Sequence, residues 1–330
     1  MHKFSISRCK VVRIANGMNK EIIDYGVRMV GAPLEWGETE GEGVRVGIID
    51  TGVDADHVEL KNRIKEGINF SGGSRDAFYD DNGHGTHIAG IIAAERNGVG
   101  IIGVAPKADL YVAKAFGKDG KTDYEAIEKS VRWLWEKNVD VINMSFSSDY
   151  TSASYRSLIW DTHRRGISII CAAGNEGEMG DNTIGYPANY PETVAVSAVD
   201  INKHIADFSS RGSAAEICAA GIDVYSAYPG GRYALLSGTS MACPVITGAV
   251  AILQAKGYLR YGRRLTPNEI RLLLNIYTEK PGAKGRDASY GYGIFSFGRI
   301  ASEEYIYSKL DSGKKRNDIA TALVLAMLSQ

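Results

Sequence analysis

Short apolar runs alternate with amphipathic stretches along most of this chain, and this alternation constrains the possible folds more than any other feature. Apolar runs predict strands over residues 44–49, 110–116, 139–144, 167–172 and 193–199, and helical spacing predicts helices over residues 84–94, 124–137, 152–165, 241–255 and 267–276. Such alternation is typical of right-handed βαβ units, in which helices cover both faces of a parallel sheet. We therefore expect an α/β protein with three layers and a central, mostly parallel sheet.

Length and charge exclude several classes of protein. The 330 residues carry 38 basic and 39 acidic side chains. This balance argues against an overall positive electrostatic field that would attract nucleic acid. The longest apolar stretch, residues 320–328, is shorter than the roughly 20 residues that span a bilayer, and no secretory signal pattern is seen. The cysteines form no CxxC pair and suit a reducing compartment; they are Cys9, Cys171, Cys218 and Cys243. We expect a cytoplasmic protein with no nucleic-acid or membrane partner.

Polar side chains follow three of the predicted strands. Asp50 comes directly after the first run, Ser145 after the third, and Asn175 three residues after the fourth. Because the carboxyl ends of parallel strands meet at one edge of a sheet, we expect the functional residues to gather there.

A histidine and a serine at the starts of two predicted helices complete a set for acyl transfer. This chemistry needs a serine nucleophile, a histidine that takes its proton and a carboxylate that holds the imidazole. Asp50, His84 and Ser240 follow one of the chain orders in which this triad occurs, and α/β-hydrolases have another. Taken singly, each is more often a cap or turn residue. His87 competes with His84, because residues three apart lie on a similar side of a helix.

Four segments with the sequences IIDTGVD, NGHGTHIAG, AAGNEG and GTSMACP resemble, in the same order, the signature blocks of the subtilisin-like serine proteases. The resemblance runs from about residue 25 to about residue 300 and is greatest to the intracellular subtilisins. It implies a three-layer subtilisin-like fold and a serine endopeptidase that cleaves peptide or protein substrates through an acyl-enzyme. The alternatives are a non-catalytic relative that keeps the triad and an esterase, which the motif order disfavours.

The resemblance assigns a role to each candidate site residue. Asp50 becomes the orienting carboxylate, His84 the general base, Ser240 the nucleophile and Asn175 the side-chain donor to the oxyanion. The implied substrate-binding residues are Ser145, Phe146, Ser147, Ala172, Ala173, Gly174, Gly120 and Tyr124, the last in the S4 pocket. Small residues at positions 172–174 suit a large apolar P1 side chain, and the peptide would bind extended by strand addition.

Residues 95–101 resemble the calcium loop of the same family, which uses backbone carbonyls and an asparagine side chain. The implied Ca²⁺ ligands are Glu21, Glu59, Glu95, Asn97, Val99 and Ile101. Glutamate at position 59 is longer than the usual aspartate but is still a hard oxygen donor. The alternative is a solvated turn with unrelated carboxylates. Residues 98–103 also match GxGxxG, but no strand precedes them and no helix follows, so we expect no dinucleotide site.

The predicted peptidase domain covers residues 25–302, between an N-terminal extension (1–24) and a C-terminal tail (303–330). Residues 10–15 are β-prone. We predict that they pair with the substrate-binding edges near Gly120 and Ser145 and inhibit the enzyme in cis. A disordered terminus is the alternative. The sequence leaves open whether the chain forms a homo-oligomer.

Overall fold

A nine-stranded sheet forms the centre of the computed structural model, which describes residues 3–6, 10–15, 20–281 and 285–299. Across the sheet the strands are β15 (Thr278–Glu279), β16 (Ile294–Phe295), β12 (Ala215–Ala220), β11 (Val194–Val199), β10 (Ser168–Ala172), β9 (Val141–Met144), β4 (Arg45–Asp50), β7 (Asp109–Lys114) and β5 (Ile64–Asn69). All neighbours are parallel except β15 and β16. The predicted mostly parallel sheet is therefore confirmed.

Within the described residues six α-helices accompany the sheet: α1 (Tyr25–Met29), α2 (His84–Ala93), α3 (Tyr124–Glu136), α4 (Ala153–Arg164), α5 (Thr239–Tyr261) and α6 (Pro267–Ile276). Alternate side chains of β4 enter different cores, because successive strand residues point to opposite faces. Ile48 packs in the core that contains α2 and α5, and Ile49 packs in the core that contains α3 and α4. Helices thus cover both faces of the sheet, as predicted.

Helix α5 runs through the larger core. It is the single described helix that is long and apolar enough to cross a membrane, and 89% of its apolar window is buried inside the protein. Small residues let it approach its neighbours closely. A Cβ added to Gly248 would lie 2.5 Å from the Val104 Cβ, so only glycine fits at this contact. The length and apolarity of α5 therefore match its burial.

In the part of the chain that the structure describes, three small sheets lie outside the main one. Strands β13 (Val224–Tyr228) and β14 (Arg232–Ser237) form a hairpin, to which β2 (Lys10–Ala15) adds a third strand. Strand β1 (Lys3–Ser5) pairs with β8 (Lys121–Asp123), and β3 (Ile22–Ile23) pairs with β6 (Ile101–Ile102). Strands of the N-terminal extension therefore join all three sheets. The predicted tail, residues 303–330, lies outside the described residues.

Candidate active site

Asp50 and His84 meet at the carboxyl edge of the sheet. Asp50 ends β4 and His84 begins α2, and the His84 Nδ1 lies 2.8 Å from the Asp50 Oδ1. Both side chains are almost fully buried. The same carboxylate oxygen accepts a 2.8 Å hydrogen bond from the Thr51 backbone N–H. The contact with Asp50 holds the His84 Nδ1 against a carboxylate, so Nε2 is the imidazole nitrogen left for proton transfer.

A buried aspartate that sequence reasoning missed holds the start of α2. Asp80 accepts hydrogen bonds from the Thr51 hydroxyl (2.8 Å), the Gly83 N–H (2.8 Å) and the Thr86 N–H (2.8 Å). It therefore ties the loop after β4 to the first turn of α2. Gly85 allows the close approach, since a Cβ there would lie 2.1 Å from the Gly52 carbonyl oxygen. An acidic residue just before a helix start was the available sequence signal.

His87 has a different environment from His84. Its Nε2 lies 3.1 Å from the carbonyl oxygens of both Val224 and Ala234, so this nitrogen carries the hydrogen. Burial lowers the pKa of His87 to about 3. A neutral imidazole committed to two carbonyls is unsuited to general-base catalysis, which supports His84 for that role.

The buried His87 predicts a pH dependence of stability. An unfolded histidine has a pKa near 6.5, whereas folded His87 binds a proton only near pH 3. The unfolded state therefore binds more protons as pH falls below about 6.5, and His87 lowers the free energy of unfolding by up to about 1.4 kcal/mol per pH unit. Denaturant unfolding between pH 7 and 4.5 should show a shallower loss for His87→Gln. Equal slopes for the two proteins would contradict this.

Ser240 lies in the first turn of α5 and is fully buried. Its Oγ donates a 2.9 Å hydrogen bond to the Ser145 carbonyl, and the Ser145 hydroxyl donates to the Ser240 carbonyl at 3.0 Å. The end of β9 and the start of α5 are thus joined in both directions. The predicted wall residue Ser145 therefore lies directly against the predicted nucleophile.

Asn175 is oriented by the residue that precedes Ser240. Its Oδ1 accepts hydrogen bonds from both the N–H and the hydroxyl of Thr239, each 2.9 Å long. Its Nδ2 is buried and has no hydrogen-bond partner within the described part of the chain. A buried unpaired donor costs roughly 1–3 kcal/mol, so it is retained only where something compensates. The arrangement leaves one N–H donor ready for an acceptor that arrives with a ligand.

Cys243 belongs to a polar network behind this site. Its thiol donates to the Asn143 Oδ1 at 3.2 Å and to the Ile170 carbonyl at 3.3 Å. Asn143 also donates to the Ser145 hydroxyl at 2.8 Å. Burial raises the pKa of Cys243 to about 12, so the thiolate is not the nucleophile. Asn143, at position three of β9, was missed because its strand reads as an ordinary apolar run.

The two predicted substrate edges flank one segment of the chain itself. Phe4 pairs with Thr122 in β8, Ser5 forms an antiparallel bridge with Ser147, and the Ile6 N–H donates to the Gly120 carbonyl at 3.0 Å. Strand β1 therefore lies between the two edges as an added strand. This is the geometry by which an extended peptide binds sheet edges.

An aromatic pocket encloses the side chain of Phe4. The ring is fully buried and makes edge contacts with Phe146, Tyr150 and Tyr155 at centroid distances of 6.1, 5.7 and 5.3 Å. Tyr124, the residue predicted for S4, packs against Tyr155 at 5.6 Å. Sequence reasoning missed Tyr150 and Tyr155, which lie beyond the motifs. The pocket accepts an aromatic side chain of an extended strand.

The prediction for residues 10–15 named the wrong strand partner. They form β2, which pairs antiparallel with β14, from Lys10 opposite Ser237 to Ala15 opposite Tyr233. Residues 3–6 occupy the edges near Gly120 and Ser147 instead. High β-propensity identified a strand-forming run but could not choose between two available edges.

The second wall of the predicted pocket follows β10. Ala172, Ala173 and Gly174 are buried, and the Ala173 carbonyl accepts from the Gly185 N–H at 3.3 Å. The Gly174 N–H donates to the Thr239 hydroxyl at 3.1 Å. The structure thus brings both predicted walls to the same edge of the sheet as Ser240.

The six residues of the predicted calcium site lie around one loop. The Glu21 Oε1 accepts from the backbone N–H groups of Asn97 (2.8 Å) and Gly98 (2.9 Å). Glu59 is fully buried and accepts from the Ile101 N–H (3.0 Å) and the Asn97 side-chain amide (3.2 Å). Val99 lies within the same loop, and its N–H donates to the Asn97 Oδ1 at 3.0 Å. Two carboxylates and an amide oxygen therefore surround residues 97–101.

The charges of the carboxylates around this loop show whether it suits a cation. Burial raises the pKa of Glu59, and the charge of Glu21 adds to that rise. In the described part of the chain no ion pair involves Glu59 or Glu21. The Glu95 carboxylate pairs with Arg63 at 2.9 Å, so Glu95 can offer only its backbone carbonyl. The Glu59 carboxylate also accepts a 2.5 Å hydrogen bond from the Tyr233 hydroxyl. The described residues hold no cluster of three acidic, histidine or cysteine side chains that could bind a metal ion, so backbone and amide oxygens would have to supply the remaining ligands. The hard oxygens of the donor set suit calcium.

Comparison with known proteins gives a consistent set of relatives. Residues 41–293 match the subtilase family. An intracellular serine protease of Paenibacillus polymyxa is 41% identical over 253 residues, which cover 75% of this chain and 78% of that protein. The major intracellular serine protease of Bacillus subtilis is 36% identical over 264 residues, covering 76% and 83%. Subtilisin DY of Bacillus licheniformis is 42% identical over 239 residues, covering 72% and 86%.

Proposed function

This chain belongs to the subtilase family of serine proteases, and from that premise we propose that it is an endopeptidase that uses Asp50, His84 and Ser240. The Ser240 Oγ forms a bond to the carbonyl carbon of the substrate, and His84 takes the hydroxyl proton. His84 then gives this proton to the leaving nitrogen as the C–N bond breaks. Water, activated by the same histidine, releases the acyl group from Ser240.

The buried contact between Asp50 and His84 is the observation that carries this proposal. The carboxylate holds the Nδ1–H tautomer and stabilises the imidazolium that forms during proton transfer. The Ser240 hydroxyl donates to the Ser145 carbonyl in this structure, and in the reaction it gives its proton to His84. Asn175 supplies its unpaired Nδ2–H to the oxyanion, next to the Ser240 backbone N–H.

Hydrolysis of casein and of internally quenched peptides by the purified chain tests the activity. We expect cleavage within the peptide, with new termini visible by mass spectrometry. A folded protein that cleaves neither would overturn the proposal and favour a non-catalytic relative. We also propose a cytoplasmic location, supported by the two relatives that are named intracellular; recovery in the soluble cytosolic fraction tests it.

We further propose that the N-terminal extension inhibits the enzyme by occupying the peptide groove through residues 3–6. The support is the antiparallel pairing of β1 with β8 and the burial of Phe4. A substrate has to displace this strand before it can pair with the same edges. Strand β2 holds the next part of the extension on β14, which raises the local concentration of the blocking strand.

Removal of this strand should raise activity. A chain beginning at Lys20 should show a higher kcat/KM than the full chain, and Phe4→Ala should raise it about tenfold, since a buried phenylalanine contributes roughly 1.5–3 kcal/mol. The exposed Arg13 of β2 offers a control, and Arg13→Ala should leave kcat/KM near the full-length value. Equal kcat/KM for all four proteins would refute inhibition by residues 3–6.

For the loop at residues 97–101 we propose a calcium ion held by Glu21, Glu59, the Asn97 side chain and backbone carbonyls of Glu95, Val99 and Ile101. When bound, such an ion would neutralise the carboxylates of Glu21 and Glu59 and would tie the start of β3 to the loop that precedes β6. Its role is structural, because the loop contains none of the three residues proposed for catalysis.

Chelation should lower the melting temperature. An ion that binds only the folded state stabilises it by about 2.7 kcal/mol at 100 times its Kd. Asn97→Ala combined with Glu59→Ala should remove the sensitivity, whereas Glu95→Gln, which keeps the backbone carbonyl, should retain it. A wild-type melting curve that EGTA leaves unchanged would contradict the site.

A further inference from the structure

A buried lysine lies beside Asp50 at the carboxyl edge of the sheet. Lys114 ends β7 and stands opposite Asp50 of β4 in the parallel register. Only 5% of its surface is exposed. Lysine is rarely buried unless its charge is paired, because removing an ammonium group from water is costly. The groups around Lys114 therefore have to compensate for its burial.

Three acceptors surround this ammonium group. The Lys114 Nζ donates to the Thr51 carbonyl at 2.7 Å and to the Tyr79 carbonyl at 3.0 Å. It also donates to the Asp81 Oδ1 at 2.7 Å. An ammonium group has three hydrogens, so these bonds use all of its donors. Lys114 thus joins two loops, one after β4 and one before α2, from a third element, β7.

The two loops carry the proposed base and the carboxylate that orients it. Thr51 directly follows Asp50, and Asp81 stands three residues before His84. The neighbouring Asp80 also joins these loops, since its Oδ1 accepts from the Thr51 hydroxyl. An ammonium group and a carboxylate therefore both hold the segments that bring the Asp50 Oδ1 to 2.8 Å from the His84 Nδ1.

Stability alone does not account for the ion pair between Lys114 and Asp81. The side chain of Lys114 is 6% exposed, whereas that of Asp81 is 48% exposed. Partial burial would raise the pKa of Asp81, but its hydrogen bond to Lys114 outweighs that effect and lowers the pKa below its usual value. Replacing a buried ion pair by apolar side chains is often neutral or stabilising. Retention of a buried ammonium group at this edge points to a role in the reaction.

We propose that Lys114 is a positioning residue for the catalytic pair. Through Thr51 and Asp81 it fixes the two loops so that the Asp50 carboxylate and the His84 imidazole stay in contact during proton transfer. Lys114 acts through this pair and not on the substrate itself, so its loss should slow the reaction more than it weakens peptide binding. The inference rests on the proposed endopeptidase function and names a further residue that supports it.

Kinetics of the full chain with an internally quenched peptide tests the proposal. Misplacement of a reacting group by about 1 Å can cost about 100-fold in rate, so Lys114→Met should lower kcat by about 10- to 100-fold and leave KM within about threefold. Lys137→Met is the matched control. It breaks a 2.7 Å ion pair with Glu66, whose side chain is also 48% exposed, and should keep the wild-type kcat.

A double-mutant cycle shows whether Lys114 acts through Asp81. Asp81→Ala should lower kcat about tenfold, and the double variant should have nearly the kcat of Lys114→Met alone, because both changes break one connection. A folded Lys114→Met protein with the wild-type kcat would overturn the positioning role, and so would losses that multiply in the double variant. If Lys114→Met fails to fold, Asp81→Ala decides alone, since its partly exposed side chain can be removed more safely.

Proton NMR separates this proposal from the endopeptidase function. The Nδ1–H of a histidine bonded to a carboxylate gives a resonance far downfield, which its loss in His84→Ala assigns. In Lys114→Met this proton should shift and exchange faster with water, whereas Lys137→Met should leave it unchanged. A wild-type protein that cleaves no peptide would overturn the protease function alone. An unchanged His84 resonance in Lys114→Met would overturn the positioning role alone.

Discussion

Replacement of Ser240 by alanine should lower kcat by about 10⁶, the loss known for the nucleophile of subtilisin, a member of the same family. The change removes the atom that attacks the carbonyl carbon, so only binding and oxyanion stabilisation remain. The fold should tolerate it. The hydroxyl donates one hydrogen bond, to the Ser145 carbonyl, and losing it costs roughly 1 kcal/mol. Hydrolysis of a quenched peptide, with active-site titration of the wild type, measures the effect.

Ser168→Ala is the matched control for this loss. Ser168 is also a buried serine, but it begins β10 at the opposite edge of the sheet from Ser240. Its variant should keep activity within a few-fold of the wild type. If Ser240→Ala retained a kcat within about tenfold of the wild type, Ser240 would not be the nucleophile.

Replacement of His84 by alanine should cause a loss of similar size, about 10⁶ in kcat, because serine and histidine act as one unit in subtilisin. No other described side chain pairs with the Asp50 carboxylate through an imidazole. Peptide hydrolysis across pH 5–9 measures the loss and shows whether the titration of the base disappears with it.

His87→Gln provides the contrast, since it removes the neighbouring imidazole and leaves the His84–Asp50 pair in place. It should retain far more activity than His84→Ala, with its main effect on stability, because the His87 Nε2 bonds to carbonyls of β13 and β14. If His87→Gln lost more activity than His84→Ala, the general base would be His87.

The fold was predicted correctly because several of the motifs mark the end of a strand or the start of a helix. Asp50 and His84 stand at such junctions, and their contact follows from two short segments meeting at one sheet edge. Strand β12 was missed, since its sequence AEICAA has small residues that fit a helix as well as a strand. The hairpin of β13 and β14 was missed although Pro229-Gly230-Gly231 is a turn signal.

Contacts between distant segments could not be read from the sequence. Phe4 meets an aromatic pocket formed by Phe146, Tyr150 and Tyr155, far along the chain, and neither part carries a motif that identifies the other. The choice of Lys3–Ser5 rather than Lys10–Ala15 for the peptide groove depends on that pocket. Propensity describes one strand at a time, whereas pairing depends on the partner edge and on side-chain burial.

Covalent labelling tests the central claim, that His84 and Asp50 activate Ser240, most directly. A fluorophosphonate reacts with an activated serine as the oxygen–phosphorus bond forms and fluoride leaves. Mass spectrometry of the digested protein should find the label on Ser240 alone, with faster labelling of a chain that begins at Lys20 and almost none in His84→Ala. A label on another residue, or a folded wild-type protein that stays unlabelled, would contradict the account.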